Sequence, residues 1–359
     1  MHTETNPPSH TLPQWLVVVV ARLLMACGLG LFAVVPASAV DVLRVLTWPG
    51  YADSDLVKAF ETRYKVRVEI SFVSSDEVLR KKISANHGGD FDVFAANTAE
   101  IQYYMDHQLL LPLRLFNIPN IGRQLPRFRD VKSIPGISRL GDVYAVPYTY
   151  SEMGLIYDRK QFQQAPTSLA AMWDPKYQGR VLMFDGSSHN FSIASLLLDG
   201  RPFQIEEKKF KSVASHLIAL RRNVLTFYTL PEESVELFRR HSVALMFANY
   251  GAQQLKLLRD AGADVGYVIP REGALAWLDC WAITRGARNK NLAESWINYM
   301  LDKKVSTELT RRQGLSNTIE AGATSKDTDK IIWLAPVEDD KRRAALWGRI
   351  ISGDLPEKF

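Results

Sequence analysis

From Asp41 the chain alternates between the period of a strand and the period of a helix, and this alternation restricts the fold more than any other feature. Residues 42–47 read as a strand, and residues 54–64 read as a helix with Leu56, Val57 and Phe60 spaced for one face. Residues 66–72 alternate as a second strand, 76–85 form a second helix with Val78, Leu79 and Ile83 on one side, and 91–95 form a third strand. Such alternation implies an α/β fold with a mostly parallel sheet flanked by helices on both faces. Sheets of this kind hold ligands in the crevice beyond the carboxyl ends of their strands. The segments at those ends are Thr47-Trp48-Pro49-Gly50-Tyr51 and Ala96-Asn97-Thr98, so Trp48, Tyr51 and Asn97 are expected at a crevice, with both rings exposed.

Prolines at 112, 119, 126 and 135 mark a loop-rich stretch, after which a second α/β run begins near Tyr144-Ala145-Val146-Pro147-Tyr148. Its expected elements are a strand at 181–184, a loop at 185–190, helices at 191–198 and 232–239, and a strand at 243–247. Extended segments follow at 266–269 and 275–283 around the turn Pro270-Arg271-Glu272-Gly273, then helices at 292–301 and from 329 onward. A chain of 359 residues divides into two lobes more readily than it builds one larger core. There is no low-complexity linker, so several crossing strands are expected to join the lobes.

The N-terminus has the layout of a secretory signal peptide: Arg22, an apolar run 23–35, Pro36 and the triplet Ala37-Ser38-Ala39. Cleavage after Ala39 is the favoured reading, against a transmembrane anchor or lipid attachment at Cys27. The mature chain would keep Cys280 alone, which excludes an intramolecular disulfide framework and suits a buried strand thiol. The net charge of +5 is spread over short basic pairs with no interleaved aromatic stripe, so no nucleic-acid partner is expected. The motifs of hydrolases, phosphate loops and dinucleotide binders are absent, and the seven histidines show no metal-ligand spacing; neither catalysis nor a cofactor or metal is expected. The one Ser/His grouping, Gly186-Ser187-Ser188-His189 after Asp185, reads as a polar loop opening a helix.

One residue stands out against its surroundings. Asp279 lies inside the apolar run Ala276-Trp277-Leu278-Asp279-Cys280-Trp281-Ala282-Ile283, where a carboxylate must be paired. The partner is either a nearby arginine or the ammonium of a ligand. On a strand, Trp277 and Asp279 share a face, and a ring beside a carboxylate suits an amine.

The run Val268-Ile269-Pro270-Arg271-Glu272-Gly273 followed by Trp277-Leu278-Asp279 resembles the signature of the bacterial spermidine/putrescine-binding family, the solute-binding components of polyamine ABC transporters. The remaining hallmarks occur in the same order: Thr47-Trp48-x-x-Tyr51, Phe91-Asp92-Val93, Tyr144-x-Val146-Pro147-Tyr148, Trp173-Asp174-Pro175-Lys176-Tyr177-Gln178-Gly179 and Gly314-x-x-Asn317. The resemblance implies a two-lobed periplasmic-binding-protein fold with the cleft between the lobes. Residues 40–146 with 277–322 would form lobe 1, and 147–276 with 323–359 lobe 2. It implies an amine site of Trp48, Tyr51, Trp277 and Asp279, with Phe247 where the family has a further tryptophan. It also implies a monomer that delivers its solute to ABC permease subunits of the inner membrane.

The family's far acids fall on Gly186 and His189 here, so the second end of a polyamine lacks its carboxylates. Glu152 is one candidate for the missing charge. The other possibility is that Ser188 and its neighbours, opening a helix, bind a carboxylate with His189 as a pH-dependent donor, which would suit a γ-amino acid. An exported enzyme on the same scaffold and a ligand module of a sensor are the readings from other classes.

Overall fold

The computed structural model describes residues 1, 40–322 and 330–355. The expected signal peptide, its cleavage site and Cys27 lie outside the described residues. Two mixed sheets organise the rest. In the first, β1 (Val42–Thr47) lies between β2 (Arg67–Phe72) and β3 (Val93–Asn97) and is parallel to both. Beyond β3 come two long antiparallel strands, β10 (Ala274–Thr284) and then β4 (Ala145–Met153). The second sheet runs in the order β7 (Val224–Tyr228), β6 (Val181–Phe184), β8 (Leu245–Phe247), β5 (Leu155–Asp158), β9 (Val265–Val268).

The early elements follow the predicted periodicity closely. Helix α1 (Ser54–Tyr64) buries Val57 and Phe60, and α2 (Asp76–Ser84) buries Leu79 and Ile83. Phe60 meets Trp296 of α8 (Lys290–Met300) edge-on at 5.0 Å, and Trp296 meets Trp281 of β10 at 5.9 Å. These rings fill the core on one side of the first sheet. Cys280 is fully buried in β10, as a strand thiol should be.

The sheets are mixed where mostly parallel ones were expected. Chain direction accounts for this: β4 leads out of the first core and β10 leads back, so the two must run oppositely where they pair. Their inner ends differ in environment. Tyr150 and Leu278 belong to the first core, whereas Met153 and Leu275 belong to the second. Two hydrogen-bonded strands therefore bridge the two cores, and the expected lobe changeovers at 146–147 and 276–277 lie within them.

The helix expected from residue 329 begins instead at Asp340. A short strand, β11 (Ile331–Trp333), pairs with β10 first, and Asp339 then caps α10 (Asp340–Ser352) by accepting from Arg342 N. Four further helices of more than two turns among the described residues were not foreseen: α3 (Thr98–Asp106), α5 (Phe210–Arg221), α7 (Gly251–Asp260) and α9 (Lys303–Gln313). The last carries few apolar residues, so its sequence gives little periodic signal. Alpha10 is pinned to the second sheet's helices by Arg343, which is fully buried. Its guanidinium donates to both Glu338 oxygens at 2.6 and 2.7 Å and to Ser192 Oγ at 3.0 Å.

At the amino ends of the parallel strands, Asp92 accepts from Arg44 Nε at 3.0 Å and Nη2 at 2.7 Å, and from Arg288 N at 2.7 Å. This buried pair fixes β1 against β3 and the turn after β10. Removing one partner of a buried pair leaves the other charge uncompensated. Asp92→Ala should lower unfolding free energy by about 3–5 kcal/mol in urea titration, with ligand affinity of the folded fraction unchanged.

Candidate functional site

Asp279 sits where β10 passes the carboxyl end of β3, directly opposite Asn97, with Thr149 of β4 on its other side. Its carboxylate is buried, and Oδ2 accepts from Tyr51 Oη at 2.6 Å. No ion pair with a basic residue forms there among the described residues. Burial consequently pushes its pKa up to about 7, against which the Tyr51 hydrogen bond acts only partly. Tyr51 arrives from the loop after β1. It is buried rather than exposed as expected, because its ring packs edge-on against Tyr148 at 5.6 Å. Burial and the adjacent Asp279 charge raise the phenol's pKa well above its ordinary value, so the hydroxyl remains a donor.

The other expected residues separate into those around this carboxylate and those that lie elsewhere. Trp277 shares the Asp279 face of β10 and sends its Nε1 across to Asn249 O at 3.1 Å, touching both cores. Trp48 is partly exposed on the loop before Tyr51, with Nε1 donated to Ala95 O at 3.2 Å. Asn97 caps α3 (Thr98–Asp106), its Oδ1 accepting from the N–H groups of Ala99 and Glu100.

Phe247 is fully buried in β8 with its neighbours in the second core, so it offers no face to a cleft. Glu152 pairs with Ala276, one residue out of phase with Trp277. Its side chain therefore lies on the opposite face from Asp279, and it does not supply the missing charge. Ser188 donates to Asp340 Oδ1 at 2.8 Å, so a carboxylate already stands at the start of α4 (Ser187–Leu197). A second anion there would meet like charge. The ring of His189 packs edge-on against Phe184, and burial pushes its pKa down to about 4. It is neutral at ordinary pH, which removes the pH-dependent donor. Asp185 is taken up by Trp347 Nε1 at 2.7 Å. The γ-amino-acid reading loses its support on these grounds.

Three residues went unnoticed in the sequence. Asp76 opens α2, Asn249 follows β8, and Tyr250 lies within electrostatic reach of Tyr51 and Asp76. Gly251 sets the last two in place: at φ 43° it starts α7 so close to β4 that a Cβ would lie 2.3 Å from Glu152 O. Nothing in the spacing of these residues signals the site, because Asp76 comes from α2 and Asn249-Tyr250 from the segment between β8 and α7, more than 170 residues later.

The model of the bacterial extracellular solute-binding proteins matches residues 55–332, most of the chain. The chain belongs to this family. The solute-binding protein is 25% identical over 288 residues to spermidine/putrescine-binding periplasmic protein 1 of Haemophilus influenzae, covering 79% of this chain and 78% of that one. It is 22% identical over 292 residues to a putrescine/cadaverine-binding protein of Pseudomonas aeruginosa, covering 77% and 79%. Among solved structures, a lipoprotein of Treponema pallidum superposes with a TM-score of 0.74 at 18% identity, covering 86% of this chain and 99% of that one. The expected two-lobed binding-protein fold is thus present, and the Haemophilus and Pseudomonas relatives are named as binding proteins.

The raised pKa of Asp279 makes the stability of the fold depend on pH. The folded state holds this proton up to about pH 7, whereas an unfolded aspartate releases it near pH ~3.9. Stability from this group is full below the unfolded value and falls as pH rises through the folded one. Asp279→Asn, which stays neutral and can still accept from Tyr51, should be more stable than wild type at pH 8 by on the order of 1–3 kcal/mol. The difference should vanish near pH 4 in ligand-free thermal melts.

Proposed function

We propose that this solute-binding protein is the periplasmic component of an ABC importer and captures a polyamine or related amine-bearing solute by closing its lobes. The observation that carries the amine is Asp279, a buried carboxylate with a tyrosine hydroxyl in place of a counter-charge and Trp277 on the same strand face. An ammonium entering the cleft supplies the missing charge, and an aromatic face favours it further. The ligand classes in the names of the Haemophilus and Pseudomonas relatives support the same chemistry.

The lobes follow the expected division and hinge on the β4–β10 pair, except that Tyr148 and Tyr150 of β4 pack in the first core, which moves the outgoing crossover to between Tyr150 and Met153. Contacts between the two sides include Arg80 of α2 with Asp340 of α10 at 3.6 Å, and Thr98 Oγ1 donating to Leu334 O at 3.0 Å. Ligand contacts drawn from both sides favour the closed form and present a surface to permease subunits. Residues 1–39 act as the export signal, and the mature protein works as a monomer without cofactor or catalytic step.

A thermal-shift series tests the ligand class. A ligand at 100 times its Kd adds about 2.7 kcal/mol to the folded state. Putrescine and spermidine should raise the melting temperature, while γ-aminobutyrate and simple anions leave it unchanged. Asp279→Asn should abolish the amine shift. Stabilisation by anions alone would refute the amine reading.

A further inference from the structure

The resemblance assigns one carboxylate to the amine, and the structure brings a second to its side. Asp76 is the first residue of α2, whose opening turn is fixed by Ser75 Oγ accepting from Val78 N at 3.2 Å. Because Asn97 uses Oδ1 to cap α3, its amide nitrogen must face outward, and there it meets both oxygens of Asp76 at 3.3 Å. Asn97 is also the residue that β3 pairs with Asp279. The two carboxylates thus flank one amide. Neither forms an ion pair with a basic residue among the described residues. Arg80, the nearest cation on α2, is bound to both oxygens of Glu100 and directed toward Asp340.

The other polar groups of the walls have a common direction. Tyr51 donates to Asp279, Trp48 to Ala95 O, Trp277 to Asn249 O and Tyr250 to Thr229 O. Asn249 is 6% exposed, and its Oδ1 accepts no hydrogen bond among the described residues. These four donors are turned into the protein, while Asn249 Oδ1 is left open. Such a cleft fits a head group rich in N–H.

Resting on the amine reading above, we propose that Asp76 is a specificity-determining residue that, together with Asp279, clamps one N–H-bearing cationic head group of the solute, a primary ammonium or a guanidinium. Burial together with the charges of Glu100 and Asp279 pushes Asp76 well above the usual carboxylate range, opposed by Arg80 and the Asn97 hydrogen bond. Tyr104 of α3 and Tyr250 also face it. Asp279 is raised as well, so a bound cation expels protons from the pair at neutral pH.

Calorimetric titration of the intact protein with putrescine, n-butylamine and n-butylguanidine tests the clamp. Two buffers of different ionisation enthalpy at pH 7 report the protons released. Asp76→Asn should weaken the preferred head group about tenfold or more and reduce proton release, with a ligand-free circular-dichroism melt no lower than that of wild type. The tighter of butylamine and butylguanidine in wild type identifies the head. If Asp279→Asn abolishes binding while Asp76→Asn changes neither affinity nor proton release, the clamp is refuted and the amine reading stands. If wild type binds none of the three, the amine reading falls and the clamp with it.

Discussion

The pairing of β4 with β10 is the constraint on which the rest of this molecule depends. Both strands begin in one hydrophobic core and end in the other, and their ladder carries the chain from the first sheet to the second and back. A connection made of two hydrogen-bonded strands bends more easily than it shears, which suits a hinge. The same ladder positions the site. Asp279 faces the carboxyl ends of β1 and β3, while Trp277, two residues earlier, reaches toward Asn249 on the other side.

The chemistry of the cleft follows from an imbalance. A carboxylate inside an apolar strand would ordinarily be matched by arginine or lysine, and this chain has arginines nearby. They are engaged elsewhere: Arg80 with Glu100, and Arg312 with Asp53 and Asp55. Asp279 is left with a neutral partner that holds its geometry without cancelling its charge. On the proposed amine reading an incoming cation relieves this destabilising arrangement, a common conflict between stability and function at binding sites. Gly186 and His189 bring no charge to the second lobe, whereas Asp76 stands within electrostatic reach of Asp279 on the first.

Much of the first sheet was legible because its elements are local. The burial of Val57 and Phe60, or of Leu79 and Ile83, is set by spacing within one helix, and β1 and α1 have the bounds that their periodicity predicts. Asp279 was legible because an acid in an apolar run violates a simple rule. Phe247 misled because an aromatic residue at a strand end looks the same whether it faces a core or a cleft. Glu152 misled because strand phase relative to Asp279 depends on a register with β10, more than a hundred residues away in sequence.

The sequence by itself determined the α/β class, the strand that carries Trp277 and Asp279 on one face, and the need of that carboxylate for a positive partner. These rest on periods of 2 and 3.6 residues and on the cost of burying a charge, which are properties of short segments. The tertiary structure alone decided that the partner within the protein is Tyr51, that Asn97 links Asp76 to Asp279, and that Asn249 and Tyr250 stand opposite. Those facts depend on strand order and register, which bring distant segments within hydrogen-bonding distance.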